Sequence, residues 1–361
     1  MRLQRLRLEF YRNYQKLDIS FDGQIHFFVG DNAQGKTNIL ESIYLLAFTK
    51  SHRTNKDREL IYWGCEHARI QSELILYDRP TELEVQIHPL GKKVLINRLE
   101  QKKISKYLGQ VKVVLFAPED LQLIKGSPQQ RRRFIDRALG QLKPKYVSDL
   151  AHYQKVLQQR NQLLKDIYKK PSLLPTLELW DLQLIEYGKE VIKARQQFVN
   201  KIQELAEDIH DRITNGQEKL RLTYSANCLA DDFQEKLIKY RDRDMATGTT
   251  NCGPHRDELD FSINEIDAKI YGSQGQQRTT ALSLKLAELQ YIQSSTGDYP
   301  ILLLDDVLSE LDQHRQKQLL DSIGQDIQTF VTTTDIIGIE HEIMKRADFF
   351  FIHGGNLVKK S

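Results

Sequence analysis

Residues 25–37, Ile25-His26-Phe27-Phe28-Val29-Gly30-Asp31-Asn32-Ala33-Gln34-Gly35-Lys36-Thr37, run from an apolar pentapeptide straight into Gly-x-x-x-x-Gly-Lys-Thr. The first five residues read as a buried strand. From Asn38 to Phe48 the apolar positions Ile39, Leu40, Ile43, Leu46 and Ala47 recur at three and four residues, which reads as a helix. Strand, glycine loop and helix in that order make a phosphate cradle. The glycines let backbone N–H groups close around phosphate oxygens, and the helix N-terminus adds a partial positive charge. In this pattern Lys36 reaches the β- and γ-phosphates and the Thr37 hydroxyl ligates Mg²⁺. The loop Gly30, Asp31, Asn32, Ala33, Gln34, Gly35, Lys36, Thr37 is therefore expected to bind a nucleoside triphosphate, with ATP and Mg²⁺ as cofactors.

The chain has 361 residues, enough for one large domain or two to three ordinary ones. A net charge of +3 neither requires nor excludes nucleic acid, so any such contact must rest on local clusters. Cys65, Cys228 and Cys252 form no C-x-x-C pair, which argues against a disulfide framework and against a zinc site. No apolar run approaches the ~18 residues of a membrane span, and the alternating basic and apolar N-terminus lacks the apolar core of a signal peptide. A cytoplasmic protein with no membrane partner is expected.

Period-two alternation marks strands at Leu3–Phe10 and Leu17–Phe21, with later candidates over Arg69–Tyr77, Glu82–His88, Lys93–Ile96 and Val111–Phe116. Asp22-Gly23 reads as a turn between strands. From about Ser127 to Gly216 the pattern becomes helical. Leu184, Tyr187, Val191, Ala194, Phe198, Ile202, Leu205, Ile209 and Ile213 step by three or four, and Pro171 and Pro175 interrupt the pattern before them. This predicts two long antiparallel helices, with the stripe used for packing rather than as a ligand box. The C-terminal part returns to strand–helix alternation: strand Tyr299–Asp305, helix Gln313–Ile323, and strands Thr329–Thr333 and Phe349–His353.

Ile301-Leu302-Leu303-Leu304-Asp305-Asp306 is a buried strand ending in two carboxylates. Such a strand places its acid beside the phosphates at the sheet's C-terminal edge. Asp305 is expected to hold Mg²⁺ with Thr37, and Asp306 to polarise the attacking water. The fold expected is α/β: an ATPase head built from 1–120 and 254–361, with a mainly helical arm, 121–253, inserted between them.

Tyr271-Gly272-Ser273-Gln274-Gly275-Gln276 opens another helix and resembles the Ser-Gly-Gly-Gln signature of ABC-type ATPases, departing at its second position. Ser309-Glu310-Leu311-Asp312 resembles the D-loop of that superfamily. Pro118-Glu119-Asp120-Leu121, Gly126-Ser127-Pro128, Arg131–Asp136, Cys252–Asp257 and Lys50–Thr54 extend the likeness over nearly the whole chain. Together these runs resemble the RecF family of recombination mediators, in the SMC-like group of ABC ATPases. The resemblance implies that Ser273, Gly275 and Gln276 of one copy cap the γ-phosphate held by another, so that ATP drives homodimerisation. It also implies ATP-dependent binding of double-stranded DNA near gaps or junctions, slow and DNA-stimulated hydrolysis, and work with RecR- and RecO-type partners to load recombinase. ABC transporters carry a histidine after the strand that matches Thr329–Thr333; here a hydroxyl of Thr332-Thr333-Thr334, or Asp335, has to serve. A nucleotide switch that recruits proteins, with DNA binding secondary, is the alternative.

Three basic clusters are candidates for phosphate contacts: Arg53 with its neighbours; Lys92, Lys93, Lys102 and Lys103; and Arg131-Arg132-Arg133. At ~100° per residue the three arginines fan over about two-thirds of a turn, so one is left for phosphate, one packs, and one holds the junction through Asp136. No base-reading helix or stacking platform is evident, so structure rather than sequence recognition is expected. The Gly253-Pro254-His255-Arg256-Asp257 run reads as a rigid junction held by an Arg–Asp pair.

Overall fold

In the computed structural model, residues 1–312, 315–316, 318–319, 326–335 and 346–360 are described. The expected helix Gln313–Ile323 lies largely outside the described residues. Two compact units divide the chain: Met1–Asp120 with Leu284–Ser361, and Leu121–Ser283.

Among the described residues the first unit holds two six-stranded sheets. One is antiparallel, in the order β2-β1-β4-β5-β6-β7, from β1 (Arg2–Tyr11), β2 (Tyr14–Ser20), β4 (Ala68–Leu76), β5 (Arg79–His88), β6 (Gly91–Ile96) and β7 (Leu99–Glu100). Its strands alternate buried and exposed residues, the mark of a sheet with one covered face. The other runs β15-β14-β3-β13-β12-β8, from β3 (Ile25–Val29), β8 (Val113–Phe116), β12 (Ile301–Asp305), β13 (Thr329–Thr333), β14 (Ala347–His353) and β15 (Asn356–Lys360). All its neighbours are parallel except β14 and β15. Every residue of β8, β12 and β13 is buried, as expected where both faces of a parallel sheet are covered. The Asp22-Gly23 turn is not a hairpin, because β2 and β3 belong to different sheets.

The helix Lys36–Phe48 touches β13, β12 and β8 of the parallel sheet and β5 of the antiparallel one. That explains its sequence: Ile39, Leu40, Ile43, Tyr44, Leu45, Leu46 and Ala47 are buried on every side. Glu41 is fully buried among them and is held by Arg12 at 2.8 and 2.6 Å and by the Tyr11 hydroxyl at 2.9 Å. Burial pushes the Glu41 carboxyl up, but the bonds from Arg12 and Ser51 and the Arg12 charge outweigh it and leave it below the ordinary value. The pair ties the loop helix to the end of β1.

The second unit contains the helices Pro128–Leu142, Pro144–Lys169 and Leu177–Ile213; a short 3-10 turn, Pro171–Thr176, joins the last two. The stripe packs as its spacing predicts. Leu184, Val191, Phe198, Ile202, Ile209 and Ile213 are buried, while Tyr187, Ala194 and Leu205 are half-buried. A three-stranded sheet, β11-β10-β9, completes the unit from β9 (Leu220–Ser225), β10 (Glu258–Ile263) and β11 (Ile266–Asp267). The sequence reading returned the chain to the head at residue 254, whereas contacts keep 254–283 in the second unit. The physical reason is the antiparallel pairing of β10 with β9, from Glu258–Ser225 to Ile263–Leu220. Among the described residues no helix is long and apolar enough to cross a membrane.

Candidate functional site

Three adjacent strands bring the site together at one sheet edge. β13 lies between β3 and β12, with Thr333 opposite Val29 and Thr332 opposite Asp305. Gly30, Thr332 and Asp305 therefore share the C-terminal edge, where open α/β sheets bind ligands. Thr37 Oγ1 donates to Asp305 Oδ1 at 2.9 Å, and Thr332 Oγ1 donates to the same oxygen at 2.8 Å. The Thr332 hydroxyl also accepts from the Asp306 N–H at 2.8 Å. Asp305 is only 5% exposed. Burial pushes its carboxyl above the ordinary value against the hydrogen bonds from Thr332 and Thr37, and the charges of Asp306 and Glu119 add to the rise. Asp306 is half-buried, lines the cleft and has φ +52°, a left-handed conformation that aspartate tolerates better than most residues.

The loop itself is shaped by close approaches. Gly35 has φ +114°, and a Cβ there would meet Asn13 Nδ2 at 2.5 Å and the Tyr14 hydroxyl at 2.7 Å. At Gly30 a Cβ would run into the Ile352 carbonyl oxygen. Asn13 Nδ2 donates to the Gln34 carbonyl and the Tyr14 hydroxyl to the Gly35 carbonyl, each at 3.1 Å. Lys36 is 3% exposed and its Nζ donates to the carbonyls of Gly30 and Asp31 at 2.5 and 3.0 Å. The ammonium thus sits against the backbone at the start of the loop.

This donor set fits a magnesium-bound triphosphate. At Gly30 and Gly35 the loop carries no side chain of its own, and Lys36 supplies a buried positive charge. Thr37 and Asp305 offer two hard oxygens side by side, and among the described residues the hydrogen bonds to that carboxylate come from hydroxyls. Among the described residues no group of three or more His, Cys, Asp or Glu is gathered for a metal.

Ser273 lies in the second unit and caps the helix Gln274–Thr296. Its Oγ accepts from the Gln276 N–H at 3.2 Å, and Gln276 Oε1 accepts from the Ser273 N–H at 2.9 Å, a reciprocal capping box. Ser273 is exposed, and Gly275 and Gln276 are half-buried in the first turn.

The basic candidates divide. Arg131 is 3% exposed and grips Glu258 at 2.6 and 2.8 Å, so it is internal. Arg132 is half-buried and donates to the Asp257 carbonyl at 2.6 Å. Only Arg133 of the run is exposed, which is the fan that helical geometry requires. The expected junction through Asp136 is corrected: Asp136 accepts from Arg195 at 2.9 Å and from the Tyr146 hydroxyl, not from the arginine run. Asp257 likewise pairs with Arg195 at 3.4 Å rather than with Arg256. Lys92 bonds Asp57 at 2.6 Å and the Thr49 carbonyl at 2.8 Å. Lys93, Lys102 and Lys103 lie at or near the surface. Arg53 is exposed at the cleft, where it donates to Asn38 at 2.9 Å.

Sequence reasoning missed Thr332 as the residue that positions Asp305, and missed Asn13 and Tyr14 as clamps on the loop. A threonine within a buried strand next to the acidic strand is a signal for the first. For Asn13, a polar residue between two strands with no periodicity carries no signal.

The RecF/RecN/SMC N-terminal domain family model matches residues 2–351. A DNA replication and repair protein RecF from Halalkalibacterium halodurans is 49% identical, covering 100% of both chains. One from Bacillus cereus strain AH820 is 47% identical, covering 99% of this chain and 98% of its own. The solved structure of a recombination mediator protein RecF with ATP, of the RecFOR pathway, is 33% identical with a TM-score of 0.92, covering 100% of this chain and 98% of its own. An Smc head domain from Pyrococcus furiosus shares the fold, with a TM-score of 0.58 at 18% identity over 100% of this chain and 96% of its own. With its loop, acidic strand and signature segment in the places described above, the chain belongs to the RecF family, within the group that RecF shares with RecN and the SMC N-terminal domains.

Proposed function

We propose that this protein is an ATP-gated mediator of DNA repair. It binds Mg·ATP in the Gly30–Thr37 loop and dimerises on it, with Ser273 of a second copy closing over the γ-phosphate. The dimer binds double-stranded DNA near gaps and acts with RecR- and RecO-type proteins in loading recombinase. The observation that carries this reading is the joint of Thr37, Asp305 and Thr332. It couples the phosphate loop to the acidic strand across residues distant in sequence, and the 47–49% identical RecF relatives supply the biological setting.

In the chemical step, bound Mg²⁺ supplies neutralisation of charge developing on the phosphate oxygens. Lys36 adds positive charge at the centre of the loop, and the N–H groups at the start of its helix hold the phosphates. Thr332 fixes the Asp305 carboxylate, and Asp305 with Thr37 presents the oxygen pair to the metal. Asp306, held at the cleft by its left-handed backbone, orients the attacking water. With Thr334 and Asp335, rather than a histidine, directly after β13 and the Thr332 hydroxyl committed to Asp305, slow turnover is expected.

Light scattering with and without Mg·ATP tests the dimer. Wild type should double in mass, while Ser273→Arg stays monomeric and still binds ATP; a dimeric Ser273→Arg overturns trans capping. Ser273→Asn, which keeps a helix cap, separates loss of the contact from loss of the helix end. Gapped duplex should bind only with ATP and weaken steeply with salt. The internal pairing of Arg131, Arg132 and Lys92 favours a second reading, a protein-recruiting switch. Binding with neither ATP dependence nor a salt slope selects that one.

A further inference from the structure

We propose that the indole of Trp63 stacks on the base of the bound nucleotide, and that this stack, rather than hydrogen bonds to the base edge, anchors the nucleoside end. The proposal rests on the reading of Gly30–Thr37 as the triphosphate site.

The cleft over that loop has a volume of about 660 Å³. A phosphate chain needs only its polar end, where the loop residues lie. The rest of its wall includes Ile61, Tyr62 and Trp63. Trp63 is 92% exposed, a large apolar ring left in water. The chain's other tryptophan, Trp180, packs against the apolar cluster of the arm.

Trp63 does not sit on a loose tip. Ile61 bridges to Tyr11, the Tyr62 N–H donates to the Phe10 carbonyl at 2.7 Å, and the Arg12 N–H donates to the Leu60 carbonyl at 2.8 Å. The Cys65 N–H returns to the Tyr62 carbonyl at 3.1 Å, and Arg58 Nη1 clasps the Cys65 carbonyl at 2.8 Å. Gly64, with φ +85°, makes the turn, and open space surrounds it. The backbone on both sides of Trp63 is therefore fixed while its ring is presented to the cleft. A ring held ready in this way loses little entropy on stacking.

The polar side chains of Arg12, Asn13, Asn38, Arg53 and Tyr62 in the cleft are engaged with the protein. Arg12 bonds Glu41 and the Glu59 carbonyl. Asn13 bonds the Gln34 carbonyl and accepts from Asn38, and Arg53 bonds Asn38. The Tyr62 hydroxyl accepts from Gln15 at 3.3 Å. An aromatic face with no committed edge reader binds any base, because every base has a π-face. The site should therefore hold ATP and GTP with similar affinity and bind a bare triphosphate more weakly than either.

The test uses the full chain carrying Trp180→Phe, so that Trp63 is the sole tryptophan. Titration with Mg·ATP and with Mg·GTP should quench its fluorescence. Magnesium tripolyphosphate should displace a fluorescent ATP analogue and leave Trp63 unquenched. Trp63→Ala should weaken ATP and GTP about tenfold each and leave tripolyphosphate unchanged, within the range of a single base–aromatic stack. Trp63→Phe should recover most of the loss. The stack is overturned if Trp63→Ala binds ATP as wild type does, or if it loses tripolyphosphate equally, which would make Trp63 a support of the loop. If neither ATP nor tripolyphosphate binds wild type, the triphosphate site itself is wrong and the stack falls with it.

Discussion

Thr332→Val replaces a fully buried hydroxyl with a methyl of nearly the same shape, so its effect is chemical rather than steric. Two bonds are lost: the 2.8 Å donation to Asp305 and the 2.8 Å acceptance from the Asp306 N–H. A hydrogen bond to a charged group contributes ~1.5–3 kcal/mol, and an unsatisfied buried amide costs ~1–3 kcal/mol. Asp305 keeps its bond from Thr37, and half-buried Asp306 remains within reach of water. The lower part of the combined range therefore applies, about 2–3 kcal/mol of stability in the first unit. The deficit depends on pH with a definite sign. Burial holds the Asp305 carboxyl above its ordinary value, so the folded state binds a proton that the unfolded chain has released. That penalty grows as pH rises from the ordinary aspartate value, ~3.9, through the raised folded one. Losing the Thr332 donor enlarges it, so the deficit should be larger at pH 7 than at pH 4. Urea denaturation at the two pH values measures this, and a fluorescent ATP analogue titrated with Mg²⁺ reads the site, where the variant should need more metal. Thr332→Ser should restore both. A Thr332→Val protein within ~0.5 kcal/mol of wild type at pH 7, the scatter of ordinary surface substitutions, with an unchanged Mg²⁺ requirement refutes the reasoning.

Gly35→Ala places a Cβ against Asn13 and Tyr14 at φ +114°; nucleotide affinity should fall at least tenfold and stability by about 1–3 kcal/mol, measured by calorimetry and thermal melting. Arg160 is fully buried and binds Asp181, Asp244 and Thr250, each at 2.7 Å. Arg160→Met leaves two buried carboxylates without it and should cost ~3–5 kcal/mol, with Arg160→Met/Asp244→Asn milder than the single variant in the same denaturation assay. His255 is held to about 4 by burial, its Nδ1 accepting from the Tyr153 hydroxyl at 2.6 Å and its Nε2 donating to the Thr250 carbonyl at 3.0 Å. Its folded value lies below the unfolded ~6.5, so the neutral ring's contribution is present above pH 6.5 and is lost as pH falls toward 4. The loss in the second unit should approach about 2–3 kcal/mol and shrink in His255→Gln, read from melting temperatures across that window.

The residues of the loop and the acidic strand were legible because each depends on local chemistry. Gly30, Gly35, Lys36 and Thr37 occupy one turn and one helix end, and Ile301–Asp305 announces burial by composition alone. The long helices were legible for the same reason, since a stripe at three- and four-residue spacing has one sensible use. What sequence could not supply was adjacency. Nothing local says that β13 enters between β3 and β12, yet that order makes Thr332 the residue that holds Asp305. Nothing in the Arg131–Arg133 run says that Glu258, far along the chain, takes the first arginine inside. The return of the chain at residue 254 was misplaced because β10 satisfies its backbone against β9 of the arm, a choice made by strand pairing and not by composition. Trp63 was passed over because an aromatic in an aperiodic loop has no meaning until the fold sets it beside the phosphate loop. Sequence singled out the groups proposed to carry the chemistry, through spacing that one element can realise. Tertiary structure decided which of them meet, because hydrogen-bonded strand order and burial join residues that no periodicity relates.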